Sequence, residues 1–271
     1  MKITEQGYRL PVLKALEPVQ EFGSGVNKPV LMRCIDQNTG EQKEVVVKLR
    51  DGERMKEGNA HGKELMGAWL AKEMNIFVPD PCVVVINEEL RDSQAGTEYY
   101  GRFSNSIGYC FGSDNLENLV QPGVSEKLNI TQISDAQRIF VFDMIIMNPD
   151  RTFDKINLLT DGNHLYAIDH ELAFHEIAYS LIPRQDPWKL NHSDIMMAEK
   201  SVVKAKIQGK KLNKEQLVGD LSYITGEFWA KAFELMPKDW SWEHWPDVSN
   251  FINGIVDHSP EFIDQIEGLV Q

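Results

Sequence analysis

Pro149 constrains this chain more than any other single residue. It closes the most apolar segment, Ile139–Met147, and pushes Asn148 off the α region. A helix carried by Ile139, Phe142, Ile146 and Met147 therefore has to stop there, and Ser134 with Gln137 has the capping-box spacing that would open it. Asp150 and Arg151 then lie in a tight loop directly after a buried helix. Two short apolar runs follow, Leu158–Leu159 and Leu165–Ile168. Between them stands Asp161-Gly162, the dipeptide of a two-residue hairpin turn.

Such a hairpin fixes a meeting point. Its first strand leads away from Asp150 and Asn157, and its second returns to Asp169 at the same end. Two carboxylates and an amide converging there suit a hard divalent cation and the orienting of a hydroxyl. Taken singly, Asn-Pro-Asp is an ordinary turn and Asp169 an ordinary strand terminator. The ordered set of helix, Asp loop, Asn, hairpin and Asp is what points to chemistry.

The formal net charge of −13 over 271 residues argues against a general binder of nucleic-acid backbones, because no basic excess exists to release counterions. No run reaches the length of a membrane span, and the amino-terminal MKITEQGYRLP lacks the apolar core of a signal peptide. Cys34, Cys82 and Cys110 are odd in number and far apart, which reads as reduced thiols in a cytoplasmic protein.

Residues 11 to 49 read as β-rich, with strands at Pro18–Phe22, Pro29–Ile35 and Glu44–Leu49 and a turn at Asn38-Thr39-Gly40. Gly23-Ser24-Gly25 lies between the first two strands. Its glycines let backbone N–H groups approach an anion, although an ordinary hairpin loop has the same composition. Lys48 lies in the second half of the apolar strand Val45–Leu49, a costly place for a charge unless it is paired or solvated at an edge. A helix over Gly62–Asn75 follows, with Glu64 in its first turn. Asn87–Gly96 reads as a mobile acidic stretch, Thr97–Gly112 as the aromatic-rich linker, and Ser113–Ile133 as a polar loop. Residues from Met196 onward read as helices, anchored in the core by Trp240, Trp242 and Trp245.

The wording D-x-x-I-x-N-P-D-R, then N-L-L and I-D-H, resembles the HipA-like serine/threonine kinases, particularly their short stand-alone branch, within the protein-kinase-like and phosphatidylinositol 3/4-kinase-like superfamily. The resemblance implies an α+β, bilobal protein-kinase-like fold. Residues 1–112 would be a β-rich N-lobe with one main helix, and residues 113–271 a mainly helical C-lobe. It implies ATP and Mg2+ as cofactors and transfer of the γ-phosphate to a protein Ser/Thr hydroxyl. Asp150 becomes the catalytic base, Asn157 and Asp169 the metal ligands, and Lys48 the phosphate-binding lysine paired with Glu64, for which Glu57 and Glu73 are alternatives. Gly23, Ser24 and Gly25 become the loop over the phosphates. Asn157 lies seven residues after Asp150 instead of the common five, which makes Asp154 a rival ligand. That departure keeps a nucleotide-binding pseudokinase in view. An aminoglycoside-like small-molecule kinase and an AMP transferase would use the same residues. The family analogy adds a separate small DNA-binding partner; the chain itself shows no helix-turn-helix signature, no direct nucleic-acid contact and no membrane segment.

Overall fold

A computed structural model gives the structure, described over residues 1–22, 27–50, 55, 59–180 and 184–271. Its amino-terminal region is a closed barrel, not an open sheet. Strands β1 (Val12–Glu21), β2 (Val30–Asp36), β3 (Gln42–Lys48), β4 (Pro81–Ile86) and β5 (Gly108–Asp114) close in the order β1-β2-β3-β5-β4, with β1 and β4 parallel. Alternation along the strands sends Leu13, Ala15, Val30, Met32, Val45, Val47 and Val84 into the interior together with Cys34, Cys82 and Cys110. All three thiols are free and buried.

Residues on the opposite face of β4 and β5, Val83 and Phe111, pack outward against helix α1 (Ala60–Glu73). Every residue of α1 except Lys72 is buried. A helix closed in on all sides needs no polar face, which is why its sequence is only weakly amphipathic. Its other side joins the large core of the carboxy-terminal helices, where Leu65, Met66 and Trp69 meet Ile139, Phe142 and Phe174.

Two short helices, α2 (Glu88–Ser93) and α3 (Tyr99–Ser104), occupy stretches expected to be loop or linker; the Asn87 side chain caps α2 by accepting from Leu90 N. Helix α4 (Ile130–Ile145) begins earlier than the Ser134 signal suggests. Asn129 and Gln132 form the working capping box, and the helix is already over at Ile145, with Met147 left-handed at φ 53°. Strands β6 (Leu158–Thr160) and β7 (Leu165–Ala167) form the expected hairpin with a longer connection: Asp161 accepts from both Asn163 N and His164 N across residues 161–164. Helices α5 (His175–Ala178), α6 (His192–Lys200), α7 (Val202–Ile207), α8 (Lys214–Leu221), α9 (Gly226–Leu235), α10 (Trp245–Asp257) and α11 (Ser259–Val270) complete the chain. Trp240 and Trp245 are buried core anchors as expected, and Trp242 packs partly exposed beside them. No helix among the described residues is long and apolar enough to cross a membrane.

Candidate active site

Lys48 owes its position to strand alternation. Val45 and Val47 point into the barrel, so Lys48 points out, in register with Phe111 and toward α1. Its ammonium contacts Glu64, reaches Asp169 Oδ1 at 2.7 Å and Glu171 Oε2 at 3.4 Å. Glu64 is the partner that the sequence suggested, but it stands in the second turn of α1, not the first, because the helix starts at Ala60. Glu73 is instead engaged by Thr4, and Glu57 lies outside the described residues. So do Gly23, Ser24 and Gly25.

The loop after α4 is held by a buried ion pair. Arg151 Nε donates to Asp143 Oδ2 at 2.8 Å, and the other side of its guanidinium donates to the backbone carbonyls of Asn157 and, at 3.3 Å, Ile168. One side chain thus ties the end of α4 to the residue just before the first hairpin strand and to the residue just after the second, next to Asp169. Asn157 and Asp169 both adopt left-handed backbone, φ 49° and 65°, a conformation that costs a non-glycine residue free energy and persists only where surrounding contacts impose it.

These constraints bring the expected residues together. Asn157 Nδ2 lies 3.3 Å from the Asp150 carbonyl and 3.4 Å from its Oδ2. Lys155 contacts Asp150 and reaches Asp169 Oδ2 at 2.8 Å, so a single ammonium bridges the two carboxylates. Asp154 is exposed and stands apart from the acidic group. Three participants went unnoticed in the sequence. Lys155 could have been found as the one lysine inside the Asp150–Asn157 loop. Glu171 follows Asp169 by two residues, an unremarkable spacing. Asn27, which donates to Glu171 from just beyond the glycine loop, has no local signature at all. Gly67 also matters: a Cβ there would come within 2.7 Å of His170 Cβ, so glycine is what lets the Asp169–Glu171 segment press against α1.

Burial works against the charge of Lys48, yet Asp169, Glu64 and Glu171 outweigh it and hold the ammonium well above its usual range. Burial likewise opposes ionisation of Asp169, but Lys48 and Lys155 keep its carboxyl far below the ordinary carboxylate range. Glu64 goes the other way, pushed up to about 7 mainly by burial despite Lys48. Lys63, next to it on α1, is pulled down to about 8 by burial, with Glu171 pulling back.

This environment couples stability to pH. His61 and His170 are pulled down to about 3, first by burial and then by nearby cations, Arg50 and Arg151 respectively. Unfolded, each titrates near 6.5, so on acidification the unfolded chain takes up two protons that the folded one refuses. Glu64 opposes them: its folded form keeps a proton that the unfolded chain has released above about pH 4.5, which adds stability as the pH falls from about 7. Asp169 contributes only at more acidic pH. Two protons against one leave a net loss of stability as the pH falls toward about 5.5. Urea denaturation at about pH 7.5 and about pH 5.5 checks this. Equal or greater stability at the acidic pH would refute it.

Glu64, Asp169 and Glu171 each place a carboxylate oxygen within 4.8 Å of the others. Asn27 Oδ1, on the amide that donates to Glu171, is buried without a hydrogen-bond partner among the described residues. An all-oxygen set with an acidic excess over Lys48 and Lys155 fits a hard divalent cation and not a soft one.

No curated protein matches the chain. Among solved structures, the Helicobacter pylori proinflammatory kinase CtkA aligns at 11% identity over 96% of this chain and 100% of its own, with a TM-score of 0.46. A chain from the complex of Neurospora crassa PAN2 with PAN3 (pseudokinase and C-terminal region) aligns at 13% identity over 97% of this chain and 66% of its own, with a TM-score of 0.36. The family model described as HipA-like kinase matches residues 19–256, most of the 271, and with that span the chain belongs to the HipA-like kinase family.

Proposed function

We propose that this protein is an ATP- and Mg2+-dependent phosphotransferase that moves the γ-phosphate to a hydroxyl, in the first place that of a protein serine or threonine. The observation that supports it is the meeting of Lys48, Asp169, Lys155 and Asp150 in one unbroken chain of contacts. Lys48, kept charged, offers a cation to the α- and β-phosphates, and Glu64 holds it in place. Asp150 orients the acceptor hydroxyl and takes its proton as the oxygen–phosphorus bond forms and the bond to the β-phosphate oxygen breaks. Lys155, between the two carboxylates, offers a cation to the phosphoryl group in transit. Asp169, Glu171 and Asn157 would hold Mg2+, which when bound neutralises phosphate charge. The division into an N-lobe over residues 1–112 and a C-lobe over 113–271 belongs to the same reading, with the nucleotide between them.

Phosphoryl transfer asks for positioning and charge compensation more than covalent chemistry, so these groups suffice. A second reading, nucleotide binding without turnover, draws on Lys155: its ammonium spans the carboxylates that a catalytic centre needs free.

The test is incubation with γ-labelled and, separately, α-labelled ATP plus Mg2+, beside Asp169→Ala. We expect γ-label on protein, reduced by roughly 10²–10³-fold in the variant, the scale for removing one group that stabilises transition-state charge. Label from α-labelled ATP alone would indicate AMP transfer. Label passing only to an added aminoglycoside would indicate a small-molecule kinase. Mg2+-dependent ATP binding with neither label nor hydrolysis would favour the pseudokinase reading, and no ATP binding would sink all of them.

A further inference from the structure

Residues 200–214, KSVVKAKIQGKKLNK, carry six lysines and no acid in a chain of net charge −13. Three of these lysines are already engaged. Lys204 pairs with Glu199 at 2.6 Å and Lys214 with Asp264 at 2.8 Å, while Lys206 donates to the carbonyls of Gly123, Val124 and Glu126 at 2.8 to 3.1 Å. Lys200, Lys210 and Lys211 are exposed, as is Lys127 across the way, and none of the four forms an ion pair among the described residues.

By gripping the carbonyls of Gly123, Val124 and Glu126, Lys206 fixes the 123–126 loop against α7, and a groove of about 450 Å³ lies between them. Its lining combines apolar Val124, Leu128 and Phe153 with basic Lys127 and Lys210. The acid in that lining, Glu126, is exposed, and its carboxylate accepts from Gly123 N at 2.9 Å. Phe153 is 47% exposed and Val124 44%, so the apolar part of the lining is uncovered. The groove also adjoins the catalytic loop. Phe153 lies between Asp150 and Asn157, and α7 is fastened to that loop by the Thr152–Ser201 bridge and by Val202 N donating to Arg151 O at 3.1 Å. Phe153 is three positions after Asp150, which limits the distance between their Cα atoms to about 11 Å.

We propose that this groove docks an acidic segment of the protein acceptor, with one bulky apolar side chain over Val124 and Phe153 and its carboxylates on Lys127 and Lys210. The occupant's role as acceptor rests on the phosphotransferase reading; the docking itself needs no nucleotide. Charge complementarity selects the partner. The rest of this acidic chain repels an acidic segment, and the exposed lysines steer it to the face beside Asp150. The apolar part of the lining argues against a nucleic acid, whose phosphate backbone asks for a longer basic track and gains nothing from Val124 and Leu128.

The experiment is fluorescence anisotropy of the full chain with a fluorescein-labelled peptide of alternating Asp, Glu and Leu carrying one Ser. Binding should saturate without ATP, weaken with salt and fall roughly tenfold in Lys127→Glu/Lys210→Glu, since two attractions become two repulsions. Phe153→Ser should weaken it with little change in salt slope, separating the apolar anchor from the charges. Binding equal in the wild type and the charge-reversed variant, or absent from the wild type, overturns the groove. Tighter binding of single-stranded RNA, lost in the same variant, replaces the peptide with a nucleic acid and also overturns the proposal. Calorimetric ATP titration of the same samples reports separately on the phosphotransferase reading. Peptide docking with no ATP binding would leave the groove standing and that reading fallen.

Discussion

Arg151→Ala is expected to cost about 3–5 kcal/mol of unfolding free energy, the range for breaking a buried ion pair from one side. Both partners are almost fully enclosed, Arg151 at 1% side-chain exposure and Asp143 at 5%. The variant leaves the Asp143 carboxylate buried with only Asn148 Nδ2, at 3.1 Å, as a side-chain donor. Burial already pushes the Asp143 carboxyl up against the pull of Arg151, so its charged form depends on that guanidinium. The carbonyls of Asn157 and Ile168 lose the same donor, and with it the contact that restrains two left-handed residues. Chemical denaturation of the wild type, Arg151→Ala and Arg151→Lys measures the effect. Lysine keeps the charge but not the fork that reaches the carboxylate and two carbonyls together, so it should recover only part of the loss. A cost for alanine below about 1 kcal/mol, as for a surface pair, would show that the pair does not brace the loop.

Lys48→Met should destabilise the protein by a similar amount, about 3–5 kcal/mol near neutral pH, and on the proposed phosphotransferase reading should abolish ATP turnover. The methionine fills the space of the lysine stem, so the loss is one of charge: Glu64, Asp169 and Glu171 are left facing one another. The variant carries a pH signature of its own. Without the ammonium the Glu64 and Asp169 carboxyls rise, as like charges at close range disfavour ionisation, and a folded-state pKa above the unfolded one adds stability as pH falls toward the unfolded carboxylate range. The wild type is expected to lose stability over the same interval. Denaturation curves for both at about pH 7 and about pH 5.5 should show a shallower loss on acidification in the variant than in the wild type. Parallel slopes would mean that Lys48 does not compensate the acidic group.

Much of this site was legible in the order of residues. Pro149, the hairpin and the recurrence of Asp and Asn at its base made Asp150, Asn157 and Asp169 neighbours before any coordinates, because a hairpin must return to where it began. Lys48 was legible for a different reason, as a lone charge in the second half of an apolar strand. Element boundaries were less legible. Asn129–Gln132 and Ser134–Gln137 both have capping-box spacing, and the helix opens at the first, where Asn129 and Gln132 also donate to Gly162 O and Thr160 Oγ1 of the hairpin at 3.0 Å.

Sequence by itself thus determined the HipA-like family, the helix–loop–hairpin order and the local meeting of Asp150, Asn157 and Asp169, since each depends on residues close together in the chain. Tertiary structure alone decided that the amino-terminal strands close into a barrel, because closure rests on β1 pairing with β4 across some seventy residues, Val12 with Val83. It also decided that Glu171 and Asn27, 144 positions apart, share a hydrogen bond. No periodicity or motif records such contacts. They come from where the burial of apolar surface leaves polar side chains once the whole chain has packed.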